Sequence, residues 1–188
     1  MTTKTPVEEL MHEHEHILKV VSALKVLGEQ IERDEPVDIE LLHGAGRFLR
    51  EFADVRHHGK EEAVLFPAME RSGVPESGCP LGALRSEHKK GRKLVSSFRD
   101  SVEAYAGNRG EAREKLVADI AAICQFYPDH IWKEDDMVFP MVDRLFEPGD
   151  LEQLRADFDK AEEELGKNHD WFVAFADQIA EATTNLLR

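Results

Sequence analysis

The stretch HHGKEEAVLFP, residues 57–67, reappears 73 positions later as HIWKEDDMVFP, residues 130–140. Both copies read H-x-x-K-E-x-x-x-x-F-P. Upstream of each, at an offset of 74, stands a Glu-His pair: Glu13-His14 before the first copy and Glu87-His88 before the second. Such self-similarity marks two equivalent structural units. Each half then holds a Glu-His element followed by an H-x-x-x-E element that ends in Phe-Pro. Residues four apart share a helix face, so His57 projects with Glu61 and His130 with Glu134. The economical reading is a duplicated helical hairpin.

The flanking hydrophobic pattern agrees. Val7, Leu10, His14, Ile17, Val21, Leu24 and Ile31 follow helical three/four spacing and stop at Asp34-Glu35-Pro36. A second helix starts near Asp38 and runs through Leu42, Ala45, Leu49, Phe52 and Val55 towards Met69, with Pro67 expected to kink or end it. SGVPESG, residues 72–78, is a loop. A third stripe, Leu81, Leu84, His88, Gly91, Val95, Phe98, Val102 and Tyr105, breaks at residues 106–110. A fourth carries Leu116, Ile120, Ile123, Tyr127, His130, Glu134, Met137 and Met141. Four amphipathic helices on short loops predict an all-α, up-down four-helix bundle over residues 7–146. Residues 147–188 form a helical extension that packs on the bundle or on a second copy of the chain. Its first helix is expected to be capped by Asp150 and stopped by Gly166, and its second to carry Trp171, Phe172, Phe175, Ile179 and Leu186.

Composition narrows the function classes. The 188 residues carry 24 Lys+Arg against 38 Asp+Glu, a net charge of −14. This balance disfavours nucleic acid and anionic membranes, which attract basic patches. Two cysteines, Cys79 and Cys124, cannot build a disulfide framework and fit a reducing compartment. Met1 to Met11 shows no apolar signal-peptide core, and no run is long enough to span a membrane. A cytoplasmic protein is the expectation.

Imidazoles and carboxylates directed into a bundle core are costly unless paired or metal-bound. His14, His57, Glu61, His88, His130 and Glu134 form a set suited to two metal ions, with carboxylates bridging and imidazoles completing each shell. Mixed His/carboxylate ligation favours iron, with manganese or zinc as substitutes, and nothing Cys-rich suggests structural zinc. The second helix leaves its register open. His58 and Glu62 are also four apart, and Glu62 shares a stripe with Phe52, Val55, Phe66 and Met69. The repeat favours His57 and Glu61, and likewise Glu134 over Asp135. His12 and His16 are expected to face solvent, as are His43 and His169. Tyr127 is either a core aromatic or a group that hydrogen-bonds a metal-bound species or approaches the metal itself. Arg92 either pairs with a carboxylate near the ligands or is solvated. Cys124 reads as a small buried residue.

With Glu13-His14, His57 to Pro67, Glu87-His88 and His130 to Pro140, the sequence resembles the hemerythrin-like family, the HHE cation-binding domain. The resemblance covers roughly Val7 to Phe146. It implies an antiparallel bundle around a non-haem, oxo- or hydroxo-bridged di-iron centre. His14, His57, His88 and His130 would then be nitrogen ligands, and Glu61 and Glu134 bridging carboxylates. Oxygen carriers of this family place a second histidine four residues after the one on the third helix, whereas Arg92 stands there in this chain. The expectation is a site one imidazole short, suited to reaction or sensing rather than reversible carriage. The leading function is a di-iron protein that binds, senses or reacts with O2, peroxide or nitric oxide, whether or not turnover follows. The alternatives are an iron sensor, store or donor, and a helical interaction protein without metal. A separate redox or signalling partner would receive any output, and a homodimer through residues 147–188 is the oligomer to test.

Overall fold

The computed structural model describes residues 4–166 and 168–186, and the described residues are almost entirely helical. Six continuous helices follow one another: α1 (Pro6–Glu32), α2 (39–71), α3 (Leu81–Gly107), α4 (109–145), α5 (Pro148–Leu165) and α6 (His169–Leu186). None is long and apolar enough to cross a membrane. A capping box starts α1: the Glu8 backbone N–H donates to Thr5 Oγ1 (3.1 Å), and the Thr5 N–H donates back to the Glu8 carboxylate (2.7 Å). The Asp38 carboxylate caps α2. The expected cap of α5 shifts by three residues. Glu147 occupies the cap position, and Asp150 instead accepts the Glu147 N–H (3.0 Å). Gly166 ends α5 at φ 76°, ψ −176°, backbone that is essentially restricted to glycine.

α2 and α4 are not uniform α-helices. Leu49–His58 and Glu61–Leu65 in α2, and Glu134–Val138 in α4, are π-helical. The later two segments stand 73 residues apart, so the internal repeat extends to the backbone. In each, the N–H of the phenylalanine before proline donates five residues back, Phe66 to Glu61 and Phe139 to Glu134. The widened turn accommodates the ring and missing N–H of the following proline. Pro67 consequently does not end its helix, one of the two expected outcomes, and α2 continues to Arg71.

α4 lies along both α1 and α3, while α6 runs along α1 and touches the start of α2. Two apolar clusters result. The larger gathers Ile17 to Ile31, Phe48, Phe52, Phe98, Ile120 and Ile131, together with Phe172, Phe175 and Ile179 of α6. The smaller gathers Val7, Leu10, Leu65, Phe66, Leu84, Val138 and Phe139, with Leu154 and Phe158 of α5. α6 fits closely because residue 44 has no side chain: a Cβ there would lie 2.3 Å from the Phe175 ring. The side chain of Leu186, expected on the same stripe, lies outside the described residues. Between the two clusters, at the level of His14 and His88, the core is polar.

Candidate metal centre

Seven side chains fill that polar layer, each 0–2 % exposed: His14, His57, His58, Glu61, His88, His130 and Glu134. They divide into two groups. His14, His57, Glu61 and Glu134 offer donor atoms within 4.8 Å of one another, and so do His58, His88 and His130. The carboxylates connect them. His88 Nε2 lies 3.3 Å from Glu134 and 3.5 Å from Glu61. Glu134 also reaches His14 (3.2 Å) and His130 (3.2 Å), and Glu61 lies 3.8 Å from His57.

All six residues singled out in the sequence therefore meet, and His58 joins them. His57 and His58 are not alternatives: both are buried. In the π-helical stretch of α2 the buried positions come as adjacent residues, Phe52-Ala53, Arg56-His57-His58, Lys60-Glu61 and Leu65-Phe66, instead of singly at three/four spacing. Adjacent histidines then both enter the core, Glu62 is half-buried, and Val55 is 48 % exposed. The expected deficit of one imidazole is thus corrected: His58, stacked on His88 at 4.0 Å, brings the number to five. Arg92 turns outward to Asp54 (2.7 Å) and Glu62 (3.0 Å).

A second ring of groups orients the imidazoles in pseudo-symmetric pairs. His14 Nδ1 faces Asp135 (2.8 Å) as His88 Nδ1 faces Glu62 (2.7 Å). His57 Nδ1 faces Glu13 (2.9 Å) as His130 Nδ1 faces Glu87 (3.0 Å). Phe139 stacks on His14 and Phe66 on His88. A carboxylate accepting Nδ1–H fixes the tautomer and turns Nε2 inward, as metal-binding histidines require. Glu13 and Glu87, visible in the repeat only as neighbours of histidines, thereby acquire a role. One position breaks the symmetry: Ile131 stands where the repeat would put the counterpart of His58.

Without a cation the layer leaves buried polar atoms unpartnered. Of the eleven buried side-chain nitrogen and oxygen atoms lacking a hydrogen-bond partner among the described residues, seven belong to these residues, including both oxygens of Glu61. Native interiors rarely leave such atoms unpaired. Burial, then the neighbouring Glu134, pushes the Glu61 carboxyl well above the usual range. Glu134 is held well below it because the charges and hydrogen bonds of His130, His14 and His88 outweigh its burial. Burial draws His57 and His58 well below the usual imidazole value, leaving them neutral as metal ligation needs. These donors fit a pair of divalent or trivalent cations.

The hemerythrin HHE cation-binding domain matches residues 5–142 of the sequence. The chain belongs to the hemerythrin family. Uncharacterised proteins of Mycobacterium tuberculosis and Mycobacterium bovis are each 24 % identical to this hemerythrin-family chain over 182 residues, covering 97 % of it and 70 % of the relative. The similarity to them thus runs through α5 and α6 as well as the family domain.

The remaining histidines divide unevenly. His12, His43 and His169 keep contact with solvent, but His16 is buried at 5 % exposure and packs edge-on against Phe52. Its expected exposure fails because α6 covers that face of α1. Another acidic group, Glu9, Glu13 and Glu162, already surrounds a cation: the Lys60 ammonium lies 2.8, 2.6 and 2.9 Å from them. Those carboxylates outweigh burial and raise Lys60 to about 12. Lys133, its repeat counterpart, pairs with Glu87 at 2.5 Å but is 39 % exposed. Losing one partner of a buried charge network costs about 3–5 kcal/mol, whereas exposed pairs contribute at most about 1. Lys60→Met is expected to lower unfolding stability by about 3 kcal/mol or more, and Lys133→Met by less than about 1. Urea unfolding of both variants checks this; equal losses would contradict the buried network of Lys60 with Glu9, Glu13 and Glu162.

Proposed function

We propose that this chain is a non-haem di-iron protein, built on an antiparallel four-helix bundle, that binds, senses or reacts with O2, peroxide or nitric oxide. The observation carrying the reading is the position of Glu61 and Glu134, fully buried and each within 4 Å of imidazoles from both groups. His14 and His57 would hold one metal, His58, His88 and His130 the other, and the carboxylates would bridge them. Iron bound there supplies Lewis-acid and one-electron redox chemistry. The protein fixes the rest. Asp135, Glu62, Glu13 and Glu87 hold the Nδ1 protons of their histidines. Phe66 and Phe139 cover two of the imidazoles and exclude water. The His14/His57 group has one imidazole fewer, with Ile131 at the repeat position of His58, so a small, weakly polar ligand would take the coordination position left open there.

Manganese or zinc would fit the same donors without the full redox range of iron. The output would pass, in the cytoplasm, to a separate redox or signalling protein. A store or donor of iron needs exchange, which donors this deeply buried disfavour. The test is to add hydrogen peroxide, nitric oxide and O2 separately to the iron-loaded protein. Consumption of peroxide, or an absorption change with one of the gases, is the expected result. Silence toward all three, with iron leaving within seconds to a chelator, would replace this reading by the store or donor.

A further inference from the structure

A cavity of about 180 Å³ opens between α2, α3 and α4, with His58 and Tyr127 among its walls. Arg50, Arg92 and Arg99 also line it, against a single carboxylate, Asp54. This is an unusual concentration of positive charge in a chain of net charge −14. Arg92 Nε donates to Asp54 at 2.7 Å and so engages that carboxylate. Arg50 and Arg99 are exposed and form no ion pair among the described residues. Gly46 gives Arg99 its place: a Cβ there would lie 2.9 Å from Arg99 Cγ.

Two buried side chains in these walls can donate a hydrogen bond. His58 is 2 % exposed, and its Nδ1 has no hydrogen-bond partner, with Asp54 at 3.5 Å. Tyr127 is 1 % exposed and lines the cavity. Burial and the charge of Asp54 keep that phenol protonated, hence a donor. Guanidinium forks match the oxygens of small anions, and a space this size is below that of drug-sized ligands.

We propose that this cavity binds a small oxyanion, of the size of phosphate, nitrite or bicarbonate, beside the metal centre. Its oxygens accept hydrogen bonds from His58 and Tyr127, and Arg50 and Arg99 balance its charge. The site stands on the cavity's own residues. The di-iron reading adds one feature: an imidazole bound to metal through one nitrogen keeps its proton on the other.

The test is calorimetric titration of the full-length protein with inorganic phosphate and with nitrite, the metal content of every sample being measured. NMR follows the Tyr127 ring in zinc-loaded protein. Saturable binding of one anion per chain is expected with a dissociation constant of about 1 mM or tighter, and the Tyr127 signals should move with it. Arg50→Gln combined with Arg99→Gln should weaken binding about tenfold or more, and Tyr127→Phe about threefold or more. Lys25→Gln on α1 should leave it unchanged, and circular dichroism verifies each fold. No saturable binding by either anion, or binding indifferent to both sets of substitutions, would overturn the proposal. A chain holding two metals but no anion defeats this inference alone; one binding the anion but no metal defeats only the di-iron reading.

Discussion

Replacing His58 by alanine should reduce the iron content from about two per chain towards one. His58 is one of three imidazoles in its group, and Arg92, at the position where carriers have another histidine, is turned away to Asp54 and Glu62. Loss of a group that only orients a ligand typically costs 10–100-fold in metal affinity, and losing the ligand itself should exceed about 100-fold at that metal. His58→Gln, which keeps more of the volume, guards against a packing defect, and far-ultraviolet circular dichroism confirms folding. His16→Ala removes another buried histidine, one outside both groups, and should keep two irons. Two irons per chain in a folded His58→Ala protein would remove His58 from the ligand set and return the site to four imidazoles.

Helix geometry hides the inward position of His58 from the sequence. A uniform α-helix turns neighbouring residues about 100° apart, so one of His57 and His58 was expected to face outward. The repeat selected His57 and Glu61 correctly as inward groups. Local periodicity preferred Glu62 only because it carried α-helical spacing through a π-helical stretch. The visible trace of that stretch was the pair of Phe-Pro dipeptides, each five residues after an inward glutamate. Glu13, Glu87, Glu62 and Asp135 were likewise present in the repeat, at offsets of 74 and 73, but their hydrogen bonds to imidazoles required the helices to be assembled. The burial of His16 and the enclosure of Lys60 depend on α6 and α5. An amphipathic pattern shows that a helix has an apolar face without showing what it covers.

The second large effect is on stability. Seven orphaned atoms in one buried layer cost free energy that a bound cation offsets, so metal binding and folding are coupled. A ligand at about a thousand times its dissociation constant stabilises the native state by about 4 kcal/mol. For a chain of this size each kcal/mol moves the melting temperature by about 2–4 °C. Removing the metal with a strong chelator should therefore lower the melting temperature by about 10 °C or more, and restoring iron should recover it. Glu134→Gln should show a smaller difference between its metal-loaded and stripped forms, because it loses a carboxylate that faces imidazoles of both groups. Scanning calorimetry of the four samples decides. A melting temperature indifferent to metal would mean that hydrogen bonds alone satisfy the layer.

The central claim is that two metals share the layer formed by His14, His57, His58, Glu61, His88, His130 and Glu134. Metal analysis of protein expressed with iron, combined with its ultraviolet-visible spectrum, tests this most directly. The predicted result is about two irons per chain with near-ultraviolet charge-transfer absorption, as expected when carboxylates and a shared oxygen link two irons. One zinc per chain, or no metal at all, would contradict it.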